Sequence, residues 1–78
     1  MATVRLFAAA RDAAGTGRDV LPGDTVGEVL SAARERYGAS FAAVLTTCKI
    51  WVNGEPADAA DPVDAADELA VLPPVSGG

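Results

Sequence analysis

Across residues 3–8 apolar and polar positions alternate, with Val4 and Leu6 on one face and Arg5 and Phe7 on the other. A period of two predicts a strand. Residues 9–17 lose that alternation and close on Gly15-Thr16-Gly17, which predicts a loop. Residues 18–21 predict a short second strand, so the opening reads as a hairpin with a wide turn. Pro22-Gly23-Asp24 is a break. Thr25 and Glu28 then stand at the capping-box spacing, where each side chain satisfies a backbone donor of a first helical turn. Val26, Val29, Leu30, Ala33 and Tyr37 recur at helical spacing and predict one apolar stripe. Gly38 supplies the stop. Residues 41–45 read as a short apolar turn over the core. Residues 48–52 are the most β-prone run, and Asn53-Gly54 behind them is a hairpin turn signal. Residues 55–67 are acidic and alanine-rich, with at most a short strand near 56–58. Residues 68–72 predict the last strand.

This order, β-β-α-β-(β)-β, predicts an α+β domain: a mixed sheet with one main helix across one face. By analogy of fold, that is the β-grasp, or ubiquitin-like, arrangement. The period of two assigns Val4, Leu6, Ile50, Val52, Leu69 and Val71 to the helix side. Arg5, Phe7, Lys49, Trp51, Ala70 and Leu72 fall on the other side, where no further element is expected to cover them. Phe7, Trp51 and Leu72 would form an exposed apolar patch, the mark of a protein interface. The alternative is that Trp51 packs beneath the 55–67 segment.

Composition narrows the chemistry. Seventy-eight residues make one domain, expected to span 1–78, and half of them are apolar. Seventeen are Ala, so large core residues are few and a deep ligand cavity is not expected. The net charge of −5 argues against nucleic acid and anionic membrane as partners. One cysteine and no histidine exclude a disulfide framework and a zinc site. Cys48 reads as a buried structural residue. The start of the chain reads as strand rather than signal peptide, and no apolar run reaches membrane-spanning length, so a cytoplasmic protein is expected. Asp58, Asp61, Asp64 and Asp67 lack the turn Gly and closing Glu of a calcium loop and read as a solvated acidic segment, with no metal site. No triad, carboxylate pair or nucleotide fingerprint is present, so an enzyme acting alone is not expected.

The remaining chemistry lies at the end: Leu72-Pro73-Pro74-Val75-Ser76-Gly77-Gly78. Two prolines hold the exit extended, and two glycines clear every side chain from the last acyl group. Residues 73–78 are thus expected to be a flexible tail that carries its carboxylate into a narrow active site. Terminal glycines can also be frayed chain, but a disordered tail is seldom as apolar as Val71, Leu72 and Val75 make this one.

The chain resembles the small, sulfur-carrying subunit of molybdopterin synthase over nearly its whole length. The run Leu6 to Gly15, the helix start Thr25-Val26-Gly27-Glu28-Val29-Leu30, the turn Val52-Asn53-Gly54-Glu55 and the ending Asp67 to Gly78 carry the likeness. Pro-Pro-Val-Ser-Gly-Gly is its specific part; Gly-Gly alone is shared by all ubiquitin-like carriers. Ala66 stands where that family usually has Gly. The resemblance implies that an E1-like adenylating enzyme uses ATP to activate Gly78, that a sulfur donor converts it to a thiocarboxylate, and that the loaded tail donates sulfur to the pterin precursor inside a separate large subunit. The chain itself is expected to bind no cofactor. Gly77 and Gly78 would provide clearance, Phe7, Trp51 and Leu72 docking, and Pro73, Pro74, Val75 and Ser76 the approach. A carrier for thiamine or cysteine synthesis would share this chemistry. So would a modifier joined through Gly78 to a target lysine, whereas a plain binding module would leave the tail idle.

Overall fold

A computed structural model describes residues 1–74. The first strand, β1 (Ala2–Leu6), buries Ala2, Val4 and Leu6. A helix follows where a loop was expected: α1 (Ala8–Ala14). Its signal is weak, because Phe7 at its N-cap offers no side-chain hydrogen bond and only Ala10 is buried. Its alanines favour a helix intrinsically, and Gly15 ends it at φ 77° with its N–H on Arg11 O. The strand stops at Leu6 rather than residue 8 because Ala8 takes φ 49° and turns the chain.

Strand β2 (Arg18–Leu21) pairs antiparallel with β1. Helix α2 (Val26–Tyr37) opens on Thr25, whose Oγ1 accepts from the Glu28 N–H at 3.2 Å. Glu28 reaches back to the Asp24 N–H, one residue beyond the usual capping box. Val26, Val29, Leu30 and Ala33 are its buried stripe, with Tyr37 half-buried. Gly38 ends α2 at φ 90° and starts α3 (Ala39–Leu45). Phe41 is the largest fully buried side chain and meets Tyr37 edge-on at 5.1 Å.

Strand β3 (Lys49–Val52) turns through Asn53 and Gly54, both at positive φ, into the two-residue β4 (Glu55–Pro56). That is the two-residue hairpin turn expected of Asn-Gly. The acidic segment then crosses to the start of α2. Val26 N–H donates to Asp61 O and Gly27 N–H to Ala59 O, so the loop's carbonyls satisfy the open donors of that helix. Strand β5 (Glu68–Leu72) closes the sheet.

The order is β2-β1-β5-β3-β4, with β5 parallel to β1 and antiparallel to β3. This is the α+β, β-grasp architecture expected. Two short helices join the main one, and the last strand is central. Val4, Leu6, Leu69 and Val71 are buried on the helix side; Ile50 and Val52, nearer the edge, are half-buried against the same core. No helix among the described residues is long and apolar enough to cross a membrane.

A candidate docking face at the root of the tail

Strand register sets the outer face row by row. Arg18, Arg5, Ala70, Trp51 and Pro56 are successive cross-strand partners, as are Val20, Thr3 and Glu68, and Lys49 with Leu72. Each strand continues its alternation, so these side chains share the face away from the helices. Phe7 joins them: the Arg5 guanidinium lies 5.9 Å from its ring centroid.

The expected apolar patch is present but less open than expected. Phe7 is exposed at 39%, whereas Trp51 and Leu72 are half-buried. A groove at the root of the tail is lined by Thr47, Lys49, Trp51, Leu72, Pro73 and Pro74, and a second by Lys49, Ile50, Trp51, Pro56 and Ala57 among others. Trp51 lines both grooves, one with Pro56 and the other with Pro73 and Pro74. Of the acidic segment, Pro56 and Ala57 line a groove together with Trp51. Val20, exposed at 48%, extends the face onto β2. Val75, Ser76, Gly77 and Gly78 lie outside the described residues.

The strand beneath the tail is held on both edges. Leu69 and Val71 are fully buried, so β5 is a fixed platform up to Leu72. At its start, Asn53 N–H donates to Glu68 O at 2.9 Å and Asn53 Oδ1 accepts from Glu68 N–H at 3.0 Å. Asn53 Nδ2 and the Asp64 N–H both donate to Asp67, which holds its carboxyl below the usual carboxylate range.

A second polar knot joins β2 to α2. Tyr37 Oη donates to Asp19 Oδ2 at 2.5 Å, and Arg36 Nε lies 3.0 Å from the same oxygen. The Tyr37 hydrogen bond, with help from the Val20 N–H and Arg36, lowers the Asp19 pKa against the opposing effect of burial. Burial and Asp19 push the Tyr37 hydroxyl well above its ordinary value. Cys48 is half-buried rather than fully so; its Sγ donates to Val44 O at 3.3 Å, and burial raises its pKa. A thiol held protonated is a poor nucleophile. No cluster of metal-ligating side chains occurs among the described residues.

The family model of the ThiS family matches residues 4–78. The chain belongs to the ThiS family. It is thereby placed among ubiquitin-like sulfur carriers. No curated protein matches it. Among solved structures it is similar to small archaeal modifier protein 1 from Haloferax volcanii, with 34% identity, 99% and 98% of the two chains covered and a TM-score of 0.81. It is also similar to a putative molybdopterin converting factor, subunit 1, from Pyrococcus furiosus, with 25% identity, 95% and 97% covered and a TM-score of 0.81. The BexX/CysO complex of Amycolatopsis orientalis contains a third similar chain, with 24% identity, 100% of both chains covered and a TM-score of 0.83.

Proposed function

We propose that this chain carries sulfur on the carboxyl group of Gly78 for molybdopterin synthesis. The observation that carries the reading is the root of the tail. It leaves the central strand from a fixed platform, directly beside the apolar groove of Trp51, Leu72, Pro73 and Pro74. The family match running through Gly78 and the Pro-Pro-Val-Ser-Gly-Gly ending support the same assignment.

In this reading the Gly78 carboxylate attacks ATP on an E1-like enzyme, giving the acyl-adenylate and releasing pyrophosphate. Sulfide-level sulfur attacks the acyl carbon and displaces AMP, leaving a thiocarboxylate; a persulfide donor would give an acyl disulfide that a thiol then reduces to the same product. The tail then enters a large subunit, where its sulfur attacks a carbon of the pterin precursor and displaces an oxygen substituent from it, and water cleaves the resulting thioester, leaving the sulfur on the pterin and restoring the Gly78 carboxylate. A dithiolene needs two sulfurs, so two loaded chains serve each product. The role of the described residues is to bind and to aim. Trp51 and Leu72 seat the partner, and Pro73 and Pro74 reduce the entropy lost on threading.

The test is the intact mass of the chain after incubation with ATP, a sulfur donor and the host's adenylating enzyme. Exchange of one oxygen for sulfur at Gly78 is expected. No exchange, with a competent control carrier in the same mixture, would overturn the reading. The 34% identity to small archaeal modifier protein 1 favours one second reading, in which activated Gly78 is joined to a lysine of a target protein. Covalent adducts in cell extract, lost when Gly78 is removed, would identify it.

A further inference from the structure

Four of the chain's cations sit toward one end of the strands. The tail leaves at the end of β5, and β1 ends beside it because the two run parallel. Arg5 is near that end, Arg18 is its partner on β2, and Lys49 is the partner of Leu72 on β3. Arg11, on α1, lies over Gly17 at the same end: a Cβ on Gly17 would meet Arg11 Nε at 3.5 Å. Four of the six cations of an acidic chain therefore lie toward the tail-exit end of the sheet, with Asp12 next to Arg11 in sequence and Asp19, next to Arg18, engaged by Tyr37 and Arg36. Asp58, Asp61, Asp64 and Asp67 lie in the segment that leads into the opposite end of β5, and Asp24 is tied to that segment through the Val63 N–H.

Arg5, Phe7, Arg11, Thr16, Gly17 and Arg18 line an open groove beside the exit. Among the described residues the ion pairs are Arg5–Glu68, at 3.8 Å between exposed groups, and Arg36–Asp19. Arg11 and Arg18 enter neither. Ala8, between Phe7 and α1, holds φ 49°, a conformation that costs a non-glycine residue and that gathers at binding sites. It lets Phe7 stay on the outer face while α1 brings Arg11 to the groove.

We infer that this corner docks an acidic segment of the protein that adenylates the tail, as an electrostatic anchor separate from the apolar groove at Trp51. The inference rests on the carrier reading above. The groove is open and its cations are strung along an edge, which suits several carboxylates on a surface rather than one enclosed ion. Cations toward the tail-exit end also steer an acidic partner to the end where chemistry occurs.

The test measures association of the chain with the host's adenylating enzyme by stopped flow, from low to high salt, with adenylation of Gly78 followed by mass. The double variant Arg11→Glu/Arg18→Glu is expected to associate about tenfold more slowly at low salt and to lose most of the salt dependence. Arg34→Glu, on the far helix, is the charge control and is expected to match wild type. Wild-type rates and salt dependence in the double variant, with Gly78 still adenylated, would overturn this inference and leave the carrier reading standing. Wild-type chain that is neither bound nor adenylated would overturn both. Displacement by inorganic phosphate beyond that of chloride at equal ionic strength would make the occupant a small anion and overturn the inference. So would sedimentation showing a dimer that Arg11→Glu/Arg18→Glu dissolves, since the occupant would then be a second copy.

Discussion

Leu69 and Trp51 are close neighbours on adjacent paired strands yet face opposite ways, so truncating each one separates folding from docking. Leu69 is fully buried among Val4, Val71 and the helices. Leu69→Ala removes that packing and leaves a cavity, at a cost of about 3–5 kcal/mol. A domain of this size holds roughly 4–12 kcal/mol in all, so the variant is at the margin of folding. With a shift of about 4–8 °C per kcal/mol, its melting temperature should fall by roughly 12 °C or more. Trp51 is half-buried between two open grooves. Its truncation should cost about half of a buried aromatic, about 2 kcal/mol. As a central aromatic on the proposed docking face it should lose about 2 kcal/mol or more of binding, a weakening of some thirtyfold. Urea unfolding and titration calorimetry against the adenylating enzyme read the two quantities separately. Trp51 is the sole tryptophan, so its emission in the wild-type chain should report docking directly. Trp51→Ala unfolding as readily as Leu69→Ala would place Trp51 in the core. Unchanged affinity in a folded Trp51→Ala would remove it from the interface.

Tyr37→Phe deletes the hydroxyl that donates to Asp19. It should cost about 1–2 kcal/mol at neutral pH, and the loss should shrink in acid. Asp19 has a lowered folded pKa, so its contribution is complete above the unfolded value of about 3.9 and disappears as pH falls through the folded value. Urea melts at neutral and acid pH check this, and an equal loss at both would mean that the hydrogen bond does not depend on the carboxylate. Gly23 has φ 136°, and an added Cβ would lie 2.7 Å from the Val29 backbone nitrogen. Gly23→Ala should therefore destabilise by about 3 kcal/mol or more, seen as a large fall in melting temperature; a shift of a degree or two would contradict the turn. Replacing Gly78 by a bulky residue should leave the melt unchanged and abolish sulfur loading. Loading that survives, read by intact mass, would defeat the clearance argument.

The elements legible from sequence are those with local signals. The bounds of β2 and β5 follow from the breaks around them, Gly17 and Pro22 for the one and the acidic segment and Pro73 for the other, α2 follows from a capping residue and a continuous stripe, and the hairpin from Asn53-Gly54. Helix α1 escaped because an alanine run with no N-cap side chain has neither a start signal nor an amphipathic pattern. Arg11 escaped with it, since its position beside Arg18 depends on that helix. The parallel pairing of β1 with β5 joins residues more than sixty positions apart, and no local spacing specifies it. The outer face was legible as a set of residues but not in its exposure. Trp51 shares its two grooves with Pro56 and with Pro73, residues that come beside it only once the strands pair and the tail departs.

The same platform sets a length that can be tested. Rigid pairing ends at Leu72, so Gly78 is separated from the docking face by six residues, a reach of about 20 Å when extended. If the tail only explored solution near its partner, two added glycines after Pro74 would lower the effective concentration of Gly78 by less than twofold. If the tail fills an extended channel, the same insertion overshoots by about 7 Å, and misplacement by even 1 Å can cost about a hundredfold. Docking, which uses residues up to Pro74, should keep its affinity in either case. The proposed function requires the second outcome: unchanged binding with sulfur transfer reduced by about a hundredfold or more in single-turnover assays. Transfer within twofold of wild type would mean that the distance from Leu72 to Gly78 is not what aims the sulfur.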